Sequence, residues 1–158
     1  MTGRIVSPAS LALATLLAVL AAAPALACPP TLTVGVPAQG SRTDGALIVL
    51  HAGRGCHPGP LTVTGTAEGL EGGARRSIAL SVEPTDTDGV FIVRREWPRG
   101  RAWVLRLVAR VGDGSATALV GLDASGRVAA VLQQDRYRRE VPVITDADVE
   151  RMLHSLAS

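Results

Sequence analysis

The 158-residue sequence contains no lysine; all 16 of its Lys+Arg positions are arginine. That usage matches the coding bias of a GC-rich genome. Aromatic residues are scarce at 3%, so a core must be packed from Val, Leu, Ile and Ala, with a modest buried area per residue. Neither sign of charge dominates, with 16 basic against 14 acidic residues. This near balance argues against a nucleic-acid partner or an anionic membrane surface. Beyond the first 27 residues no apolar run approaches the roughly 20 residues that a membrane span needs, so no transmembrane segment is expected in the mature chain. There is no Gly-x-Ser-x-Gly, no His-Glu-x-x-His and no phosphate-cradling glycine loop ahead of a helix. No repeat of solenoid or propeller length is visible.

The N-terminus has the layout of an export signal. Arg4 is followed by an apolar run from Leu11 to Ala22, and Ala25-Leu26-Ala27 supplies the small residues that signal peptidase accepts. Residues 1–27 are therefore expected to be removed, placing the mature chain in the periplasm or outside the cell. Cys28 comes next and permits a second route, because a bacterial lipoprotein signal also ends before a cysteine. Such signals carry Leu three residues earlier, where this chain has Ala25, with Leu26 one place late. A lipid at Cys28 would anchor the protein to a membrane. It would also forbid the alternative expected here, a disulfide between Cys28 and Cys56, which an oxidising compartment favours.

From Thr31 onward the chain breaks into short β-rich runs punctuated by Gly, Pro, Asp and Ser. The runs are Thr31–Val36, Ala46–His51, Leu61–Ala67, Arg76–Val82, Val90–Arg95, Arg101–Val111, Thr117–Leu122 and Arg127–Leu132. Several alternate with period two, the pattern of strands with one buried face. Ile78, Leu80 and Val82 share one side. Trp103, Leu105 and Leu107 point opposite to Arg106 and Arg110. Gly112-Asp113-Gly114 and Ala124-Ser125-Gly126 read as hairpin turns, while Pro37–Gly45 and Pro84–Gly89 read as polar loops. No interior segment holds a helical period, which excludes the parallel α/β folds. The expectation is an all-β fold, an antiparallel immunoglobulin-like β-sandwich of seven or eight strands over residues 28–140. An extension, 141–158, follows. There Thr145 can cap a helix, Asp148 can reciprocate, and Val149, Met152, Leu153 and Leu156 recur at helical spacing to dock on the sandwich.

Candidate chemistry concentrates at His51-Ala52-Gly53-Arg54-Gly55-Cys56-His57. With Cys56 as thiolate, His51 and His57 would complete a soft donor set for copper or zinc; pairing with Cys28 removes the sulfur and leaves the histidines incidental. Gly53 stands where a haem-attachment motif needs its first cysteine, so haem c is excluded. Arg94, Arg95, Arg99 and Arg101 crowd a hairpin, and Arg136, Arg138 and Arg139 surround Tyr137. Both clusters read as edge protection or as an anion patch. Asp86 with Asp88, and Asp146 with Asp148, fit turn and helix-start positions, and His154 suits the C-terminal end of the helix.

Gly89-Val90-Phe91-Ile92-Val93, then Trp97-Pro98-Arg99-Gly100, then Trp103-Val104-Leu105 resembles a strand pair of small exported bacterial immunoglobulin-like domains, the YtkA-like and FixH-like groups. The resemblance covers about residues 61–111 and implies that this stretch forms one hairpin of a sandwich core. Some YtkA-like proteins are linked to copper through Met and His ligands ahead of that hairpin. This chain departs there, since its methionines are Met1 and Met152, and no ligand position carries over. The functional expectation is an exported, non-catalytic binding or structural accessory module without a cofactor, its ligand or protein partner not readable from the sequence. The alternative is a periplasmic copper- or zinc-binding protein using His51 and His57.

Overall fold

The computed structural model describes residues 28–37, 45–133 and 143–157. The expected export signal 1–27, most of the expected Pro37–Gly45 loop and the Arg136, Tyr137, Arg138 and Arg139 cluster lie outside the described residues. In chain order the strands are β1 (Thr31–Gly35), β2 (Ile48–Gly53), β3 (Thr62–Glu71), β4 (Ala74–Leu80), β5 (Val82–Pro84), β6 (Val90–Val93), β7 (Trp103–Val111), β8 (Gly114–Leu122) and β9 (Val128–Gln133), followed by helix α1 (Asp146–Ala157). They form two sheets, one of four strands in the order β1-β2-β6-β5 and one of five in the order β4-β3-β7-β8-β9. Every pairing is antiparallel. An all-β sandwich with a short C-terminal helix is therefore the fold, as the alternation predicts.

Two local expectations are corrected. The run Arg76–Val82 is not one strand: it divides at Ser81 into β4 and β5, which belong to different sheets. The Ser81 N–H donates to the Glu96 carboxylate at 3.0 Å, so a side chain takes the place of a ladder partner where the chain crosses over. Ile78, Leu80 and Val82 still pack on the same core, which is why a single alternation runs through the break. Nor do β6 and β7 form a hairpin. β6 pairs with β2 and β5, whereas β7 pairs with β3 and β8. The connection 94–102 crosses between sheets and buries Trp97 at the sandwich end, 3% exposed.

The core lies between the inner faces. Leu32, Ile48, Leu50 and Val93 from one sheet meet Ala67, Trp103, Leu105, Leu107, Ala118, Val120 and Leu122 from the other. Each fully buried Leu or Ile contributes roughly 1.5–3 kcal/mol relative to exposure. Trp103 carries the largest fully buried side chain; its Nε1–H donates to the Pro98 carbonyl at 3.0 Å, and its ring lies over Gly69, where a Cβ would approach within 2.8 Å. β7 is buried on both sides. Its outward Val104 joins Leu119, Ile144, Val149 and Leu153 in a second cluster beneath α1, flanked by Met152 and Leu156. The predicted helix stripe is the docked one.

Cys28 and Cys56 are bonded, with 5.1 Å between their Cα atoms. The Cys56 N–H donates to the Cys28 carbonyl at 3.0 Å. Gly55 precedes it at φ +62°, where a Cβ would collide with the Cys28 and Pro29 carbonyls, so the bridge needs glycine there. The link closes a loop across β1 and β2, with a sequence separation of 28. By restricting the unfolded chain it contributes about 3 to 4 kcal/mol. Replacing both cysteines (Cys28→Ser with Cys56→Ser) should lower the unfolding free energy by about that amount in a urea titration.

Candidate functional site

The structure separates most of the residues that the sequence groups. His51 is exposed on β2, facing away from the core, while His57 lies half-buried in the β2–β3 connection with its ring against Pro30 and Gly114. Cys56 is committed to the disulfide. Among the described residues no group of three His, Cys, Asp or Glu side chains could hold a metal ion, so the soft donor set is not assembled around His51 and His57. The arginines also part company. Arg94 pairs with Glu83 at 3.4 Å, and Arg101 with Glu71 at 3.4 Å. The Arg95 guanidinium lies 5.9 Å from the Trp97 ring centroid and against Gly126, its Nε buried without a hydrogen-bond partner. Arg99 is exposed. Arg94 and Arg101 thus use their charges in separate pairs that link neighbouring elements. Asp88 likewise pairs with Arg54 at 3.3 Å.

A different place brings polar groups together, the outer face of the five-stranded sheet beside α1. The alternation that buries Ala67 and Leu107 directs Thr64, Thr66 and Glu68 of β3 and Arg106, Val108 and Arg110 of β7 outward. The register sets Thr66 opposite Arg106, Thr64 opposite Val108 and Thr62 opposite Arg110, with Thr117 and Ser115 continuing the last two rows on β8. Thr64, Thr66, Glu68, Arg106, Val108 and Arg110 line a shallow cleft of about 320 Å³. Helix α1 covers the upper half of the face and leaves this lower half open.

One wall of the cleft is a charge network. Glu68 is the sole buried charged residue among those described, 6% exposed. It accepts from the Thr66 hydroxyl at 2.9 Å, the Ser77 hydroxyl at 3.0 Å and Arg75 Nε at 3.2 Å. Arg75 reaches on to Asp146 at 3.6 Å and Glu150 at 3.8 Å, and Arg106 meets the same Asp146 at 2.6 Å. The helix start is thereby tied to β4 and β7. Asp146 is exposed, so each of its ion pairs is worth about 1 kcal/mol or less, whereas burying Val104, Leu119, Val149 and Leu153 contributes several times that. Apolar contact holds the helix down; the ion pairs set its position along the sheet.

Sequence reasoning missed Glu68, since a lone acidic residue in Ala67-Glu68-Gly69 ends a β-rich pattern instead of continuing it. Arg106 and Arg110 were legible as outward-facing but not as the two flanks of a cleft. The cleft offers hydroxyl and guanidinium donors on an aliphatic floor. Its lining includes one carboxylate, Glu68, which is engaged by the Thr66 and Ser77 hydroxyls and by Arg75, and no imidazole or thiol is among the lining residues. Among the described residues no helix is long and apolar enough to cross a membrane. Compared with known families, curated proteins and solved structures, the chain matches none.

Four carboxylates, Glu71 and Glu96 exposed and Asp123 and Asp148 half-buried, are held below their ordinary range. The Thr145 N–H, then its hydroxyl, then Arg151 lower Asp148; a hydrogen bond and charge from Arg76, with Arg101 behind it, lower Glu71. The Ser81 N–H and hydroxyl lower Glu96, and the Ser125 hydroxyl and Arg127 N–H lower Asp123. Since the fold prefers each as the anion, their stabilisation is present in full above the ordinary values, 4.5 for Glu and 3.8 for Asp. It fades as pH falls through the lower, folded values. Thermal melts from pH 7 downward should therefore hold steady to about pH 5 and then fall. Asp148→Asn, which removes the reciprocal cap, should melt lower at pH 7 and lose less on acidification.

Proposed function

We propose that this chain is an exported, non-catalytic immunoglobulin-like β-sandwich that binds a partner through the open half of its five-stranded sheet. One observation carries the reading. The fold covers half of that outer face with its own helix and leaves the other half as a polar cleft between Arg106 and Arg110.

The immunoglobulin-like assignment is supported by strand order. The order β1-β2-β6-β5 corresponds to A-B-E-D, and β4-β3-β7-β8 to C′-C-F-G, with β9 added beyond G. Export is supported by the disulfide, which belongs to an oxidising compartment, and by the layout of residues 1–27. The kinship suggested by the Gly89–Leu105 stretch concerns the fold alone. A copper or zinc function through His51 and His57 would need a further donor; Cys56, the nearest in sequence, is bonded to Cys28.

The ligand-facing groups are Thr64, Val108 and Arg110, because Arg106 is already engaged with Asp146 and the Thr66 hydroxyl with Glu68. Arg110 has no ion pair among the described residues and stands exposed at the foot of the cleft, free to meet an acceptor on the partner. The test is paired substitution on opposite faces of the sandwich. Thr64→Arg with Arg110→Glu should abolish saturable binding of the mature chain to the partner it retains on a column of its host's exported proteins. His51→Glu, on the four-stranded sheet, should leave that binding within about twofold of wild type, as expected of an uninvolved surface site. Equal loss from both faces, or none from the cleft variant, would contradict the reading.

A further inference from the structure

A sandwich of two open sheets has four edges, and exposed edges invite pairing with other chains. Three are guarded. β5 carries Glu83 and Pro84, which block a ladder by charge and by a missing N–H. β4 carries Arg75 and Arg76. β1 is overhung by the other sheet, and its Val34 N–H donates to the Gln133 side chain at 3.4 Å.

The fourth edge, β9, is interrupted only at its start, by a bulge between the Gly121–Ala130 and Leu122–Val128 pairs. Val128-Ala129-Ala130-Val131-Leu132-Gln133 contains no charge and no proline. It pairs with β8 on one side, and no described strand lies on the other. Val131, which shares the inner side with Val120, is 46% exposed, and Leu132, on the outer side with Leu119, is 38% exposed. Both faces of the strand therefore present aliphatic surface next to unpaired backbone.

We propose that β9 is the contact strand of a homodimer, pairing antiparallel with β9 of a second copy across a two-fold axis through Val131. Such an axis sets each residue opposite one equally far beyond the centre. Val131 then faces its own copy, Ala130 receives Leu132, and Ala129 faces Gln133. The absence of charge identifies the occupant. A two-fold places like charge against like charge near its centre, so self-pairing demands a neutral strand, whereas a strand from a different protein would tolerate or exploit charges. Arg75 and Arg76 on β4 and Glu83 on β5 would each meet their own kind; β9 is free of that penalty, as is β1, whose Val34 N–H is already taken by the Gln133 side chain. The pairing joins the two five-stranded sheets into one and leaves the Arg106–Arg110 cleft open on each copy.

Sedimentation velocity on the mature chain, over about a hundredfold range of protein concentration, tests this directly. Wild type should be a dimer at the upper end and dissociate on dilution. Val131→Lys and Val131→Glu, each of which sets like charges across the axis, should weaken the dimer about tenfold or more while keeping the wild-type circular dichroism spectrum. An equimolar mixture of the two variants should recover the dimer, since the ammonium introduced in one copy then faces the carboxylate introduced in the other; a folding defect would not be rescued by mixing. Wild type that stays monomeric throughout would overturn the proposal. So would a dimer indifferent to both substitutions, or a mixture no more associated than either variant alone.

Discussion

β7 is the strand on which the rest of the molecule depends, because where it begins it is dry on both faces, as the neighbouring end of β8 is. Its inward Trp103, Leu105, Leu107 and Ala109 are buried by the opposing sheet, and its outward Val104 by α1. A sheet with one solvated face is ordinary in an antiparallel sandwich. A strand that places Val104 outward needs a lid over that position, and the C-terminal helix supplies it. The helix is short and would be marginal alone, so sheet and helix each complete the other's apolar surface.

The division of the outer face follows from this arrangement. Helix α1 covers Val104 and Leu119; the outward face turns polar at Thr66 and Arg106, which share Leu119's row, and stays so at Thr64 and Arg110 beyond. The boundary is marked by Asp146, which takes one of its cations from β7 and the other from β4. Glu68 sits beneath that boundary, a carboxylate whose removal from water is made tolerable by two hydroxyls and a guanidinium. The candidate recognition surface is thus the part of the sheet that the fold has no need to cover.

Much of the fold was legible in the sequence where the signal is local. Alternation placed Trp103–Val111 with its correct faces, glycine-bearing turns placed the β7–β8 and β8–β9 hairpins, and Thr145 with the Val149, Met152, Leu153 and Leu156 stripe placed the helix. What escaped was set at long range. β3 runs to Glu71, past Glu68 and Gly69, because the β4 and β7 ladders and the Trp103 ring fit there, which local propensity does not register. The break at Ser81 depends on Glu96, and the arginines found partners that no spacing rule would pair, such as Arg106 with Asp146, 40 positions apart. The cleft was invisible for the same reason: its walls come from strands and a helix whose adjacency only the tertiary fold creates.

The mutual burial of β7 and α1 is most directly measured by amide hydrogen exchange on the intact chain. The account predicts that the central amides of α1, around Val149 to Leu153, are protected to a similar degree as those of β7 and lose that protection together with them as denaturant is added. Helix amides that exchange at the rate of a free peptide while β7 remains protected would show that Val104 and Leu119 are covered by something else, and would contradict it.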